Sequence, residues 1–399
     1  SITIDKKYIL GGTGYLQNPQ QIGYGYEDAK TKVKRPDGEK LTWKFYAPNV
    51  HDFVWAADPG YKHLSKVIRD SLTIHVLYKP TNEPARDWEA LLNLAEVILP
   101  YLERTFGTYP YKQYSFIHGG DGGMEYPMAT LSIGPGAVIH EWLHSWYYGL
   151  MANNELLYPW MDEGFTQYAE DRLVAQLNKS TGFPYAESYG AYYSLVKSGK
   201  EEPLTTHADH YITNNSYTLS AYYKGEIFLE QLGYIVGATV RDKILLEYYR
   251  LWKYKHPTPI DFINVAEKVS DMKLDWYREY WINSTKTIDY GIDSLWEEGG
   301  KTKVRIKKIG LIPMPIDLQL TFRDGTKELH YIPMGLMYGE KQVEDTLNSR
   351  KVYEPWKWSH STYIIETSRR LVDFSLVEID PSMRMADIER KDNKMKLRW

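Results

Sequence analysis

Three features of the sequence predict an α+β chain of more than one domain. Its 399 residues exceed what one ordinary core organises. Its hydrophobic pattern changes period twice, from alternation to helical spacing and back to alternation. The long central stretch is helical in pattern, while both flanks read as short strands split by turn residues.

The elements follow in chain order. "SITI", "KLTWKFYA" and "DFVWAA" are β-branched and aromatic runs separated by "GGTG", "RPDGEK" and "DPGY". "SLTIHVLYK" at 71–79 is a further strand. In "EPARDWEALLNLAEVILPYLERTFG", Trp88, Leu91, Leu92, Ala95 and Leu99 fall at helical spacing and Gly107 stops the helix. "YSFIHGG" and "MATLSIG" read as strands on either side of a glycine-rich turn. Helices are predicted over 136–151, 158–178, 219–236, 239–255, 259–270 and 275–283. From Lys301 the runs "TKVRIKKI", "IDLQLTF", "KELHYIPM", "STYIIETS" and "LVDFSLVEI" alternate again, and a small β-sandwich is the natural closure. "DNKMKLRW" reads as a tail. The predicted division is 1–68, 69–295 and 296–399.

Composition narrows the function classes. Apolar residues at 43% and charged residues at 25% are the balance of a folded soluble protein. A net charge of −4 carries no basic excess for nucleic acid and no charged arm for a membrane surface. No apolar run reaches the roughly 18 residues of a membrane span. Cysteine is absent, so a metal would have to sit on His, Asp or Glu. That absence fits a reducing cytosol or a disulfide-free bacterial envelope protein. The opening "SITIDKKYIL" has no initiator Met and no signal-peptide pattern, and it starts inside a predicted strand. The expectation is a piece of a longer protein, with the bacterial cell envelope, periplasm or exterior favoured over the cytoplasm.

The chemistry concentrates in "HEWLHSWYYGLMANNELLYPWMDEGF", residues 140–165. His140 and His144 are four apart, so on a helix they share one face and can chelate one ion. Glu141 lies about 100° round from His140, beside the ligands, where a carboxylate can reach a metal-bound water. Catalytic zinc takes three protein ligands and keeps one position for water. Glu163, with 18 residues between it and His144, can return on a second antiparallel helix as the third ligand. Its neighbour Asp162 competes for that role. Glu170, two turns further along the same face, reads either as a carboxylate that orients a ligating imidazole or as a solvated surface acid. The pattern of two histidines alone occurs by chance in long chains; the Glu at a workable spacing favours the metal. His118, His207, His210 and His256 have no partner at ligand spacing and read as structural or surface residues.

Two more segments, "GGDGGMEYPMATL" upstream and "SAYYKGEIFLEQLG" downstream, join this one. Together the three resemble the M1 family of zinc aminopeptidases, within the gluzincin group. Its motifs are GxMEN, HExxH, a Glu after 18 residues, and YxKG. The resemblance covers roughly residues 70–285 and implies a thermolysin-like zincin domain of mixed sheet and helices. It implies one zinc ion per chain on His140, His144 and Glu163, with Glu141 as general base. It implies that Glu125 binds the substrate's free α-amino group and Tyr222 stabilises the oxyanion. It further implies that Gly122, Gly123 and Met124 contact the substrate, and that "MATLSIG" offers an edge to it by strand addition. The peptide substrates would carry a free N-terminus. Tyr126 and Asp162 stand where the family often has Asn, which leaves the chemistry intact and alters a subsite. Only 14 residues separate Glu125 from His140, which implies a short loop near the cleft. Part of the family's N-terminal β domain and its C-terminal helical domain have no counterpart here. Two rival readings stand beside the aminopeptidase: a thermolysin-like endopeptidase and a non-catalytic binding module of the same fold.

Overall fold

The computed structural model describes residues 1–69, 71–80, 85–344 and 350–397. It has helices together with mixed and antiparallel sheets, in the predicted order of β, then α with β, then β. The chain divides into two compact units. The first draws on residues 1–154, 166–184 and 249–257, and the second on residues 155–165, 185–248 and 258 onward.

In the first unit, residues 1–58 form three short antiparallel ladders. Ile2–Asp5 pairs with Lys40–Trp43, Ile9–Gly12 with Trp55–Asp58, and Tyr15–Leu16 with Phe45–Tyr46. Leu10, Ile22, Leu41 and Trp43 form their buried core. The main sheet has five strands in the order Gly123–Tyr126, Ala129–Ser132, Gln113–His118, Leu72–Tyr78 and Lys62–Arg69. Its two inner pairings are parallel and its two outer ones antiparallel. The hairpin Lys62–Arg69 and Leu72–Tyr78 spans the position where the sequence suggests a boundary.

The helix Ala85–Phe106 buries Trp88, Leu91, Ala95, Leu99 and Leu102 on one stripe. It ends where expected, at Gly107, whose φ of 110° no residue with a side chain adopts easily. Glu83 and Pro84, where the sequence places its start, lie outside the described residues.

The segment read as a glycine-rich turn is itself a strand, Gly123–Tyr126, and it is the outermost of the sheet. Ala129–Ser132 pairs on both sides, with Gly123–Tyr126 and with Gln113–His118. The expected strand addition at "MATLSIG" is therefore ruled out, because that backbone is already engaged. The outer edge of the sheet belongs to the strand carrying Glu125.

The second unit holds the helices Ala186–Ser198, Gly225–Val236 and Pro259–Ser270. The last begins at a capping box between Thr258 and Asp261, with Pro259 in the first turn. Two sheets follow. Tyr290–Glu298, Lys301–Lys308 and Thr362–Thr367 make three strands, and Ile316–Phe322 lies in the middle of five. Tyr290–Glu298 has no counterpart in the sequence reading. A bulge at Asp293 shifts its register and breaks the period of two that reveals a strand. The tail returns as a short strand, Lys394–Lys396, and its last two residues are outside the described ones. Among the described residues, no helix is long and apolar enough to cross a membrane.

The first unit contains a partly buried histidine pair. His63 Nε2 and His75 Nδ1 lie 2.9 Å apart, and His63 Nδ1 is 2.7 Å from the Tyr24 carbonyl. The Tyr26 ring stacks on His63 at 4.1 Å. A carbonyl only accepts, so His63 carries its proton on Nδ1 and accepts at Nε2 from His75. Burial, and then the neighbouring His63, push the His75 pKa down to about 3. The folded state thus binds fewer protons than the unfolded state between pH 6.5 and 3, and stability falls as the pH drops through that window. We expect this group to cost about 2 kcal/mol between pH 6.5 and 5. Urea unfolding at pH 7.5 and 5.0 should show a smaller acid loss for His75→Phe than for the wild type. An equal loss in both would remove this explanation.

Candidate active site

The HExxH segment forms a short helix, Val138–His144, that passes without interruption into a π-helical turn, Ser145–Leu150. Single π-helical turns occur often at functional sites. Both histidines point one imidazole nitrogen outward to a partner in the first unit. His140 Nδ1 lies 2.9 Å from Glu170 Oε2, and His144 Nδ1 lies 3.1 Å from Thr166 Oγ1. These bonds orient both rings and commit Nδ1, so Nε2 is the ligand atom each ring presents on its other side. His144 and Thr166 are fully buried. This donor set fits a divalent metal of zinc's type: two imidazoles one turn apart, each braced from behind.

Glu141 is buried and rests on the sheet. A Cβ at Gly123 would sit 2.1 Å from Glu141 Oε1. The glycine thus leaves room for this carboxylate, whereas a Cβ at Gly122 would meet nothing. Glu125 is buried on the outer strand, paired in register with Thr130, and Met124 beside it is exposed. Burial, and then the Glu141 charge with a smaller part from Glu125, push the Tyr114 hydroxyl far above the usual phenol value. The first unit therefore holds Glu125, Glu141 and both histidines, with one outer strand and one helix presenting them.

In the second unit, Asp162 and Glu163 stand in another π-helical turn, Trp160–Gly164. It runs directly into the helix Phe165–Leu177. Thr166 and Glu170, which brace the histidines, therefore follow Glu163 by about one and two helical turns of the same continuous segment. Tyr222 lies in a third π-helical turn, Leu219–Lys224. Its hydroxyl donates to Glu163 Oε1 at 2.6 Å. Burial, and then the Glu163 charge, hold that hydroxyl far above the usual phenol value, with a smaller contribution from Asp162. Asp162 is buried.

The remaining letters of these motifs have structural work. A Cβ at Gly164 would stand 2.6 Å from the Gly225 backbone, and one at Gly225 would stand 3.0 Å from Gly164 Cα. The two glycines let the two turns touch backbone to backbone, which sets the Glu163 to Tyr222 distance. Lys224 is buried, pairs with buried Glu201 at 2.7 Å and donates to the Ser284 carbonyl at 3.2 Å. Sequence reasoning missed Thr166. Its position one turn after the expected ligand is the signal that could have found it. His118 fits its expected structural role: it stacks on Trp88 and accepts from the Lys79 amide at 3.2 Å.

Residues 135–281 match the peptidase family M1 domain. Among curated proteins it is similar to a leukotriene A-4 hydrolase homolog of Botryotinia fuckeliana, 27% identical over 201 residues. That match covers 44% of this chain and 30% of the relative. It is also similar to aminopeptidase B of Rattus norvegicus, 27% identical over 225 residues, covering 48% of this chain and 31% of the relative. The chain spans about a third of the length of these curated relatives. In fold it is similar to an M1 zinc metallopeptidase of Deinococcus radiodurans, with a TM-score of 0.53 and 16% identity, covering 70% of this chain and 62% of the other.

The glycine contact yields a stability prediction. Gly164→Ala should destabilise by about 1–3 kcal/mol, because backbone atoms cannot give way as a side-chain end can. Gly190→Ala, in the middle of Ala186–Ser198 with nothing near its Cβ, should be neutral or stabilise by about 0.5–1 kcal/mol. Urea midpoints of the two variants that move in the same direction would contradict this account.

Proposed function

We propose that the chain is a zinc-dependent aminopeptidase that removes N-terminal residues from peptides. His140, His144 and Glu163 would hold one zinc ion, each offering one ligand atom. The observation that carries this reading is the bracing of both imidazoles by Glu170 and Thr166, from the helix that begins directly after Glu163. The match of residues 135–281 to the peptidase family M1 domain and the names of the curated relatives support the same reading.

Zinc bound there would acidify a water and polarise the scissile carbonyl. The rest is the work of the chain's own side chains. Glu125 would hold the substrate's α-ammonium group by charge-assisted hydrogen bonds, which a peptide with a blocked N-terminus cannot make. The outer strand Gly123–Tyr126 would align the peptide backbone, as an edge strand can. Glu141 would take the water proton and deliver it to the leaving amine. Tyr222, held beside Glu163 by its hydroxyl, would donate to the developing oxyanion. Glu170 would keep His140 in the tautomer that presents Nε2. We further propose that residues 69–295 are a thermolysin-like catalytic domain, with a β region before it and a small sandwich after it.

Paired substrates test the amine anchor. An aminoacyl anilide should be cleaved and its N-acetyl counterpart should not; equal cleavage would turn the reading to an endopeptidase. Glu141→Gln should lower kcat by about 10²–10⁴-fold while zinc content stays near one per chain. Glu125→Gln should raise KM for free-amine substrates with zinc retained. Glu170→Gln should weaken zinc affinity by about 10–100-fold in a chelator competition. Purified protein that neither binds zinc nor cleaves any aminoacyl anilide after zinc addition would point instead to a binding module.

A further inference from the structure

We propose that the cavity between the outer strands Arg350–Val352 and Thr362–Thr367 is an oxyanion-binding site anchored by Arg350. The cavity has a volume of about 570 Å³, and its walls include Lys301, His330, Arg350, Lys351, Glu366 and Thr367. Both strands are the last of their sheets, so the cavity lies where two sheet edges face each other within the second unit.

The argument rests on which charges are already matched. Arg350 sits over the Tyr331 ring, 4.4 Å from its centroid. Its Nε is shut off from solvent and has no hydrogen-bond partner among the described residues. Its guanidinium makes no ion pair with any described residue. A buried donor without a partner costs free energy, and a ligand or ordered water is the usual explanation.

The acids around it are taken. Glu366 pairs with Lys301 at 2.9 Å and with Lys303 at 3.5 Å. Glu328 lies 3.2 Å from His330 Nε2 and accepts from Thr367 at 3.0 Å. In the neighbouring loop, Glu344 pairs with Arg384 at 3.1 Å. Lys351 reaches the Glu366 carbonyl at 3.2 Å rather than a carboxylate. His330 adds no charge of either sign: burial pushes its pKa down to about 4, so it is neutral at pH 7. Two cations, Arg350 and Lys351, thus line one cavity without a carboxylate for either among the described residues.

A guanidinium seated over a ring still offers its N–H fork to a planar carboxylate or to two oxygens of a phosphate. The ligand class is therefore a small carboxylate or phosphate monoester. The site shares no residue with the proposed zinc centre, so its failure and that of the peptidase reading are separate results.

Calorimetric titration of the whole zinc-loaded chain tests it, with inorganic phosphate in one series and N-acetylglycine in another, chloride balancing the ionic strength. Saturable binding of either probe is expected, and the stronger of the two identifies the source of the oxyanion. Arg350→Gln should weaken it by about tenfold or more, and Arg350→Lys by less, because the charge remains but the fork is lost. Thermal melts confirm that the variants fold. If Arg350→Gln does not fold, Lys351→Gln carries the same test with a loss of about threefold. No saturable binding of either probe, or binding within about twofold of wild type in the folded variants, would overturn the proposal.

Discussion

The contact between Gly164 and Gly225 is the constraint on which the second half of the candidate site depends. Two π-helical turns approach until their backbones touch, and no side chain larger than hydrogen fits between them. That closeness brings the Tyr222 hydroxyl within 2.6 Å of the Glu163 carboxylate. Lys224 then pins the same turn from below through its buried pair with Glu201. A buried ion pair is weak evidence for stability, since desolvation offsets much of the attraction. Its better-supported use is to specify one arrangement, and here the arrangement is the orientation of the turn carrying Tyr222.

In the first unit, a different device does the same job. Glu170 and Thr166 hold the outer nitrogens of the two imidazoles, one through a carboxylate and one through a hydroxyl. Neither ring can tumble without breaking that bond. Rotational freedom is thereby removed before any ligand arrives, which lowers the entropic cost of binding one. The glycine at 123 extends the principle to Glu141, whose carboxylate occupies the space a side chain would have filled.

Much of this was legible in the sequence, and the exceptions have physical causes. Long helices with a clear apolar stripe and a glycine stop, such as Ala85–Phe106, were readable because their signal is local. The spacing of His140 to His144, and of Glu163 to Glu170, was readable because helical periodicity converts separation into direction. The strand Tyr290–Glu298 was hidden because its bulge at Asp293 breaks the alternation. The strand Gly123–Tyr126 was hidden because two glycines resemble a turn, while its pairing comes from a neighbour. Thr166 escaped notice because a threonine within a helix has many uses, and only tertiary contact selects one. The same holds for Arg350: charge can be counted from a sequence, but which described residues leave it unmatched cannot.

The outer strand Gly123–Tyr126 carries an implication for colloidal behaviour. A sheet edge proposed to take a peptide is equally open to another copy of the chain, and open edges seed self-association. This strand is only four residues long, and it places a buried acid, Glu125, in the middle. Short length limits the number of backbone bonds a second copy could form. The acid penalises any neighbour that brings no positive group to meet it. The acid proposed to select an ammonium group would thus also guard the edge against aggregation.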